Sequence, residues 1–186
     1  MRRLPLFGFL GPVLTGEDCD RAIALTEAAA LRPGTIDGTV TTDAAQRNSS
    51  ITFIPRGGDA AWLYDKMIAT ALQANRDFWN FQLDGAEQIQ IARYEVGQHY
   101  IGHIDMGIEE PYSLRKLSVV VQLTDPEEYE GGELVFHKSS ESLVAAPRER
   151  GEMIVFPSYA LHQVKPVTRG RRYSLAHWII GREPFR

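Results

Sequence analysis

Residues 88–107, QIQIARYEVGQHYIGHIDMG, and 151–181, GEMIVFPSYALHQVKPVTRGRRYSLAHWIIG, decide the architecture. Both are rich in Val, Ile and aromatic residues and are cut by Gly97, Pro157, Pro166 and Gly170, which is the pattern of short strands joined by turns. Working outward from them, the same pattern predicts strands near 48–54, 88–96, 99–105, 117–124, 132–137, 142–146, 151–156, 161–167 and 171–180. Turns are expected at Gly97, Asp125-Pro126, Gly131-Gly132, Pro147 to Gly151 and Arg169-Gly170, with Tyr129, Gly131 and Gly132 read as one tight turn.

Upstream the period changes. In TGEDCDRAIALTEAAAL, Thr15 and Asp18 form an N-cap and acidic first turn for a helix that should run to about Leu31, before Pro33 and Gly34. A second helix is predicted over 59–80, where Tyr64, Ile68, Ala71, Leu72, Phe78 and Trp79 gather near one face. Two helices followed by evenly spaced strands predict a mainly β fold with supporting helices, a sandwich or barrel-like double sheet braced on one side. The polar stretches Arg32 to Arg47 and Met106 to Lys116 are expected to be long loops that carry binding.

A chain of 186 residues is sized for one domain. Its 44% hydrophobic and 24% charged residues exclude disorder, coiled coil and collagen-like repeats. A formal net charge of -4 without a basic run argues against a sequence-independent grip on nucleic acid. The single Cys19 excludes an internal disulfide and a cysteine-built zinc site, which suits a reducing, cytoplasmic setting. The opening MRRLPLFGFLGPVLTG is broken by Pro5, Gly8, Gly11 and Pro12, so it is not read as a secretory signal. No stretch approaches the roughly 20 apolar residues of a membrane span.

Chemistry concentrates in the quoted stretches. His103-Ile104-Asp105 is an H-x-D pair whose members, by strand alternation, should share a face and converge on one ion. The pair is weak alone, because a chain of this composition often contains one by chance. His162 on another predicted strand completes a two-histidine, one-carboxylate set, the kind that holds Fe(II) on one side and leaves positions open. Arg172, Ser174, Ala176 and Trp178 share one face of the last strand, and a hairpin neighbour would set Arg172 beside His162. A guanidinium deep in a pocket needs a carboxylate, here one from a cosubstrate whose other end chelates the metal. His99, His137 and His177 are read as structural or exposed.

The order of features is more specific than any one of them. Tyr94, Gly97 and Tyr100 precede H-x-D; a Y-x-G-G-E-L hairpin follows; then come F-P-S, the distal histidine, P-V-T-x-G and R-x-S. Over about Gln88 to Gly181, half of the chain, the sequence resembles the iron- and 2-oxoglutarate-dependent dioxygenases of the prolyl 4-hydroxylase-like group, small bacterial members included. The first 85 residues match that group only loosely.

The resemblance implies a single domain over 1–186, with helical support and a first strand in 1–85 and a catalytic double-stranded β-helix, or jelly roll, in 86–181. It implies that His103, Asp105 and His162 bind Fe(II) and that Arg172 holds the distal carboxylate of 2-oxoglutarate. Tyr94 would donate its hydroxyl to that cosubstrate, Ser174 and Trp178 would floor the pocket, and Gln122 would add a further contact. Arg115 and Tyr100 are the candidates for facing substrate. The implied reaction consumes 2-oxoglutarate and O2, with ascorbate keeping iron reduced, and hydroxylates an unactivated C–H bond while releasing succinate and CO2. The expected acceptor is a prolyl or other residue of a peptide or protein; a free amino acid or small metabolite is the alternative. Two readings from other classes stay open at this point: a non-catalytic jelly-roll binding module, and a cupin-like isomerase or hydrolase using another divalent metal. Oligomeric state is not legible in the sequence.

Overall fold

The structure, a computed structural model, describes residues 5–35, 43–139 and 142–185. The chain opens with β1 (Gly8–Pro12), α1 (Gly16–Ala28), β2 (Arg32–Pro33), β3 (Arg47–Asn48), β4 (Ser50–Ile54) and α2 (Ala61–Phe78). Next come β5 (Gly85–Ala86), β6 (Ile89–Tyr94), β7 (His99–His103), β8 (Arg115–Gln122), β9 (Tyr129–Gly131) and β10 (Leu134–Ser139). The remainder is β11 (Ser142–Ala145), β12 (Glu152–Pro157), β13 (His162–Val164), β14 (Val167–Gly170) and β15 (Arg172–Ile180).

Strand order in the larger sheet is β1-β12-β8-β15-β6-β4-β2, with β5 beside β15; the smaller sheet runs β11-β10-β13-β7-β3. From β6 onward the chain passes repeatedly between the two sheets, and the strand pairs within them are antiparallel. This is the jelly roll, mainly β with two supporting helices, that the sequence led us to expect.

Alternation along the central strands builds three layers. Ile89 and Ile91 of β6, Leu117, Val119 and Val121 of β8, and Leu175 and Ile179 of β15 pack on one side with Cys19, Ala22, Leu63, Met67, Ala71 and Ala74 of the helices. Each Leu, Ile, Val or Met side chain among them contributes roughly 1.5–3 kcal/mol on removal from water. The opposite faces of the same strands look inward, where Ala92, Tyr94, Leu134, Phe136, Phe156 and Val164 form a second cluster between the sheets. Thr15 caps α1 reciprocally: its hydroxyl accepts from the Asp18 amide at 3.1 Å, and the Asp18 carboxylate accepts from the Thr15 amide at 3.2 Å.

Several expectations need correction. Helix α1 stops at Ala28 rather than near Leu31, because Arg32 and Pro33 are drawn into pairing with β4. The strand expected over 161–167 is two strands, interrupted at Lys165-Pro166, where proline lacks the amide a ladder requires. Tyr129 to Gly131, expected as a turn, pairs as β9 with β14. The glycines are still needed there: Gly131 has φ +70, and a Cβ on it would lie 2.2 Å from the Pro166 carbonyl oxygen. β1 was not expected, since its glycines and proline mask a strand that pairs with β12 at the sheet edge. Of the loop expected over Arg32 to Arg47, residues 36–42 lie outside the described residues.

Candidate functional site

His103 ends β7 and His162 begins β13; the two are directly opposed across an antiparallel pair. Asp105 lies beyond the end of β7, so strand alternation is not what aims it. Its amide donates to the Ser158 carbonyl at 2.9 Å, as does that of Met106 at 3.0 Å, and this chain reversal turns the carboxylate back toward the histidines. Oδ1 lies 3.6 Å from Nε2 of His103 and Oδ2 lies 3.7 Å from Nε2 of His162. One ligand atom from each of the three falls within 4.8 Å of the others.

Both imidazoles are set for metal binding by their backbone contacts. Nδ1 of His103 lies 2.8 Å from the Ile101 carbonyl oxygen and Nδ1 of His162 lies 2.9 Å from that of Ala160. A carbonyl oxygen only accepts, so Nδ1 carries the proton and Nε2 presents its lone pair to the common centre. Burial pushes His162 down to about 4 against the pull of Asp105, which keeps the ring neutral at neutral pH. Burial alone would raise the Asp105 carboxyl; the charge that His162 and His103 carry when protonated, together with the Arg115 guanidinium, outweighs it and holds the group below the usual carboxylate range. The His103 ring is stacked on Tyr100 at 3.5 Å between centroids, and that of His162 packs edge-on to Phe156 at 4.7 Å.

The triad opens into a cavity of about 970 Å³ between the sheets, whose lining includes Tyr94, Arg115, Arg172, Ser174 and Trp178. Arg172 is not on a hairpin with His162. It begins β15 in the larger sheet, whereas His162 belongs to the smaller one, so the two meet across the sandwich. Arg172 is 1% exposed, yet among the described residues no carboxylate pairs with it. Nη2 donates to Oε1 of Gln122 at 2.9 Å and Nη1 to Oγ of Ser174 at 3.4 Å, and the Tyr94 ring lies 5.5 Å below the guanidinium. Nε of Arg172 and Nε1 of Trp178 are buried without a hydrogen-bond partner among the described residues. Two imidazoles with one carboxylate fit Fe(II), and an uncompensated guanidinium with orphaned donors in the same cavity fits a carboxylate ligand.

Arg115 is placed differently. Its Nε and Nη2 each donate to a Glu87 carboxylate oxygen at 2.6 Å, Nη1 donates to the Asp105 carbonyl at 3.0 Å, and the guanidinium stacks 3.9 Å over Trp178. It therefore braces the backbone of a triad member. Lys116, the last residue of the stretch expected to carry binding, is buried over the Phe185 ring at 4.0 Å. His99 contacts the Gly97 and Ala45 carbonyls, and His177 lies on the helix side of β15, edge-on to Tyr64. Two charged cavity residues were not singled out in the sequence, although Arg47 ends a stretch expected to carry binding. Glu87 and Arg47 each stand beside a strand start, and without a motif around them only their partners across the fold reveal them.

Comparison with known proteins agrees with this geometry. A PKHD-type hydroxylase of Cupriavidus metallidurans is 33% identical over 153 residues, 77% of this chain and 66% of that protein. One from Janthinobacterium sp. is 43% identical over 93 residues, 47% of this chain and only 40% of that relative's length. Among solved structures, a Pseudomonas putida prolyl-4-hydroxylase shares the fold with a TM-score of 0.74 at 22% identity, covering 95% of this chain and 93% of that one. A Trichoplax adhaerens prolyl hydroxylase, in complex with a peptide fragment of the hypoxia inducible factor oxygen degradation domain, has a TM-score of 0.76 at 21% identity, covering 94% and 83%. Residues 89–180, which contain the triad, Tyr94 and Arg172, match the family model of the 2OG-Fe(II) oxygenase superfamily, and the chain belongs to that family.

Proposed function

We propose that this chain is an Fe(II)- and 2-oxoglutarate-dependent hydroxylase of an amino-acid unit, with a prolyl or other residue of a peptide as the first acceptor to examine. The observation that carries the reading is the pairing, in one cavity, of the His103-Asp105-His162 set with Arg172, a buried cation held only by neutral partners. The family match and the hydroxylase names of its relatives support it.

His103, Asp105 and His162 would hold the iron, and Arg172 the distal carboxylate of 2-oxoglutarate. Gln122 and Ser174 fix the guanidinium plane, and Tyr94 lines the same cavity from the paired strand. When bound, the metal and 2-oxoglutarate supply oxidation by O2, which places one oxygen atom in a substrate C–H bond, with succinate and CO2 as the other products. The protein needs no general acid or base for this. Its residues orient the cosubstrate and keep the His162 side dry through Phe136 and Phe156. Arg115 keeps the Asp105 backbone in place.

The test is succinate formation from 2-oxoglutarate by anaerobically purified protein given Fe(II), ascorbate and air, beside His103→Ala. Succinate from the wild type alone supports the reading, and prolyl peptides, then free amino acids, are next screened for a mass gain of one oxygen. Equal succinate from both proteins, or none with any acceptor, would return the chain to the binding-module or cupin-like readings.

A further inference from the structure

Three guanidinium groups line the cavity, from Arg47, Arg115 and Arg172. Arg115 is neutralised by Glu87 within the fold. Arg172, on the reading above, receives the cosubstrate. Arg47 is then unaccounted for. It is 8% exposed, and it is wedged at the start of β3: a Cβ on Gly34 would lie 2.6 Å from its Nε. Nε donates to Oγ of Ser49 at 3.0 Å and Nη1 to the Thr35 carbonyl at 3.0 Å, and the guanidinium stacks 4.6 Å over Tyr100. Those partners are all neutral, Nη2 has no hydrogen bond to any described residue, and no described carboxylate pairs with the group. A buried cation held this way is poised for an anion from outside the chain.

The position indicates which anion. Tyr100 lies between Arg47 and the triad, with one face on the guanidinium and its ring stacked on His103. An anion held by Arg47 therefore sits at the edge of the metal site, on the smaller sheet, whereas Arg172 enters the cavity from the larger one. Phe53, Ile104 and Ile108 add apolar surface to the same cavity, which suits an aliphatic body attached to that anion.

We propose that Arg47 anchors a carboxylate of the substrate, so that the acceptor is an amino acid, free or at a peptide C-terminus, that presents its carboxylate to Arg47 and an aliphatic C–H bond to the metal site. This rests on the hydroxylase reading and narrows it. Planar guanidinium is matched to carboxylate, and the stack on Tyr100 fixes its plane before the ligand arrives.

The experiment uses the zinc-loaded protein saturated with 2-oxoglutarate, where no turnover occurs, and ligand-observed NMR. The probes are proline, leucine, their N-acetyl forms and their amides, each up to about 20 mM, the range of weak metabolite binding. The carboxylate forms are expected to bind and the amides not. R47Q should weaken the carboxylate probes about tenfold or more and leave 2-oxoglutarate within about twofold, and R47K should restore part of the binding. Binding of a free amino acid but not its N-acetyl form assigns a free amino-acid acceptor, and binding of the N-acetyl form assigns a peptide C-terminus. Equal binding of acids and amides, no binding by any carboxylate probe, or loss of 2-oxoglutarate itself in R47Q would overturn the assignment. Should R47Q fail to fold, the acid-against-amide comparison on the wild type and on R47K decides alone. Failure of the wild type to bind 2-oxoglutarate, read in the same samples, would instead defeat the hydroxylase reading.

Discussion

Arg115 and Arg172 open neighbouring strands of the same sheet and line the same cavity, yet they are held in opposite ways. Arg115 has a full set of internal partners, Glu87 on two nitrogens and the Asp105 carbonyl on a third. Arg172 is more deeply buried and has only a glutamine and a serine. Leaving a buried charge without a counter-ion costs several kcal/mol, so a fold that tolerates it keeps that charge for something not part of itself. An arginine at a site is thus assigned less by its depth than by whether the chain supplies its carboxylate.

That contrast can be broken at either end, and the metal centre gives the largest effect. His103→Ala should lower succinate formation by at least about a thousandfold and abolish tight Fe(II) binding, measured by turnover and by metal analysis after dialysis. Glu87→Gln should turn Arg115 into an arginine without a counter-ion, costing about 3 kcal/mol of stability in urea unfolding; a Glu87→Gln protein as stable as wild type would erase the distinction. Arg172→Met should do the reverse, leaving stability unchanged or improved while weakening 2-oxoglutarate by roughly 2–5 kcal/mol in calorimetry.

Buried histidine gives a pH signature on the helix side of β15, away from the cavity. Burial holds His177 down to about 4 from an ordinary 6.5, with its Nε2 3.0 Å from the Glu87 carbonyl oxygen. The unfolded chain binds the proton more readily, so the stability this group contributes is complete above about pH 6.5 and is lost as pH falls toward about 4, by up to about 3 kcal/mol. His177→Phe should flatten that slope in pH-dependent urea unfolding. The smallest effect expected is from Ser174→Ala, about 1 kcal/mol in 2-oxoglutarate affinity, since the Arg172 contact it removes is long at 3.4 Å.

The same contrast marks what could be read in the sequence. The inward face of β15 was legible because a period of two places Arg172, Ser174, Ala176 and Trp178 together whatever the neighbours. The triad and Arg172 were legible as a set of residue types, but two of the reasons offered for their geometry do not hold. Asp105 is aimed by hydrogen bonds to Ser158 rather than by strand alternation, and Arg172 meets His162 across two sheets rather than on a hairpin. Both errors come from treating long-range pairing as local. Glu87 was invisible for the same reason: it lies 28 residues before Arg115 and acquires meaning only when β8 and the segment before β6 converge. Arg115 could not be told from a surface charge until that partner was seen. The edge strand β1 was hidden because an edge needs fewer ladder bonds and so tolerates the glycine and proline that argue against a strand elsewhere.

The most direct measurement of the central claim is anaerobic calorimetry of 2-oxoglutarate binding to Fe(II)-loaded wild type, Arg172→Met and Arg115→Met. Fe(II) content is measured in each sample, so that any loss of metal through Asp105 is separated from loss of the carboxylate contact. A cosubstrate-binding role for Arg172 predicts saturable binding to wild type, a loss of about thirtyfold or more in Arg172→Met, and nearly wild-type affinity per bound iron in Arg115→Met. Binding to Arg172→Met as tight as to wild type would contradict it.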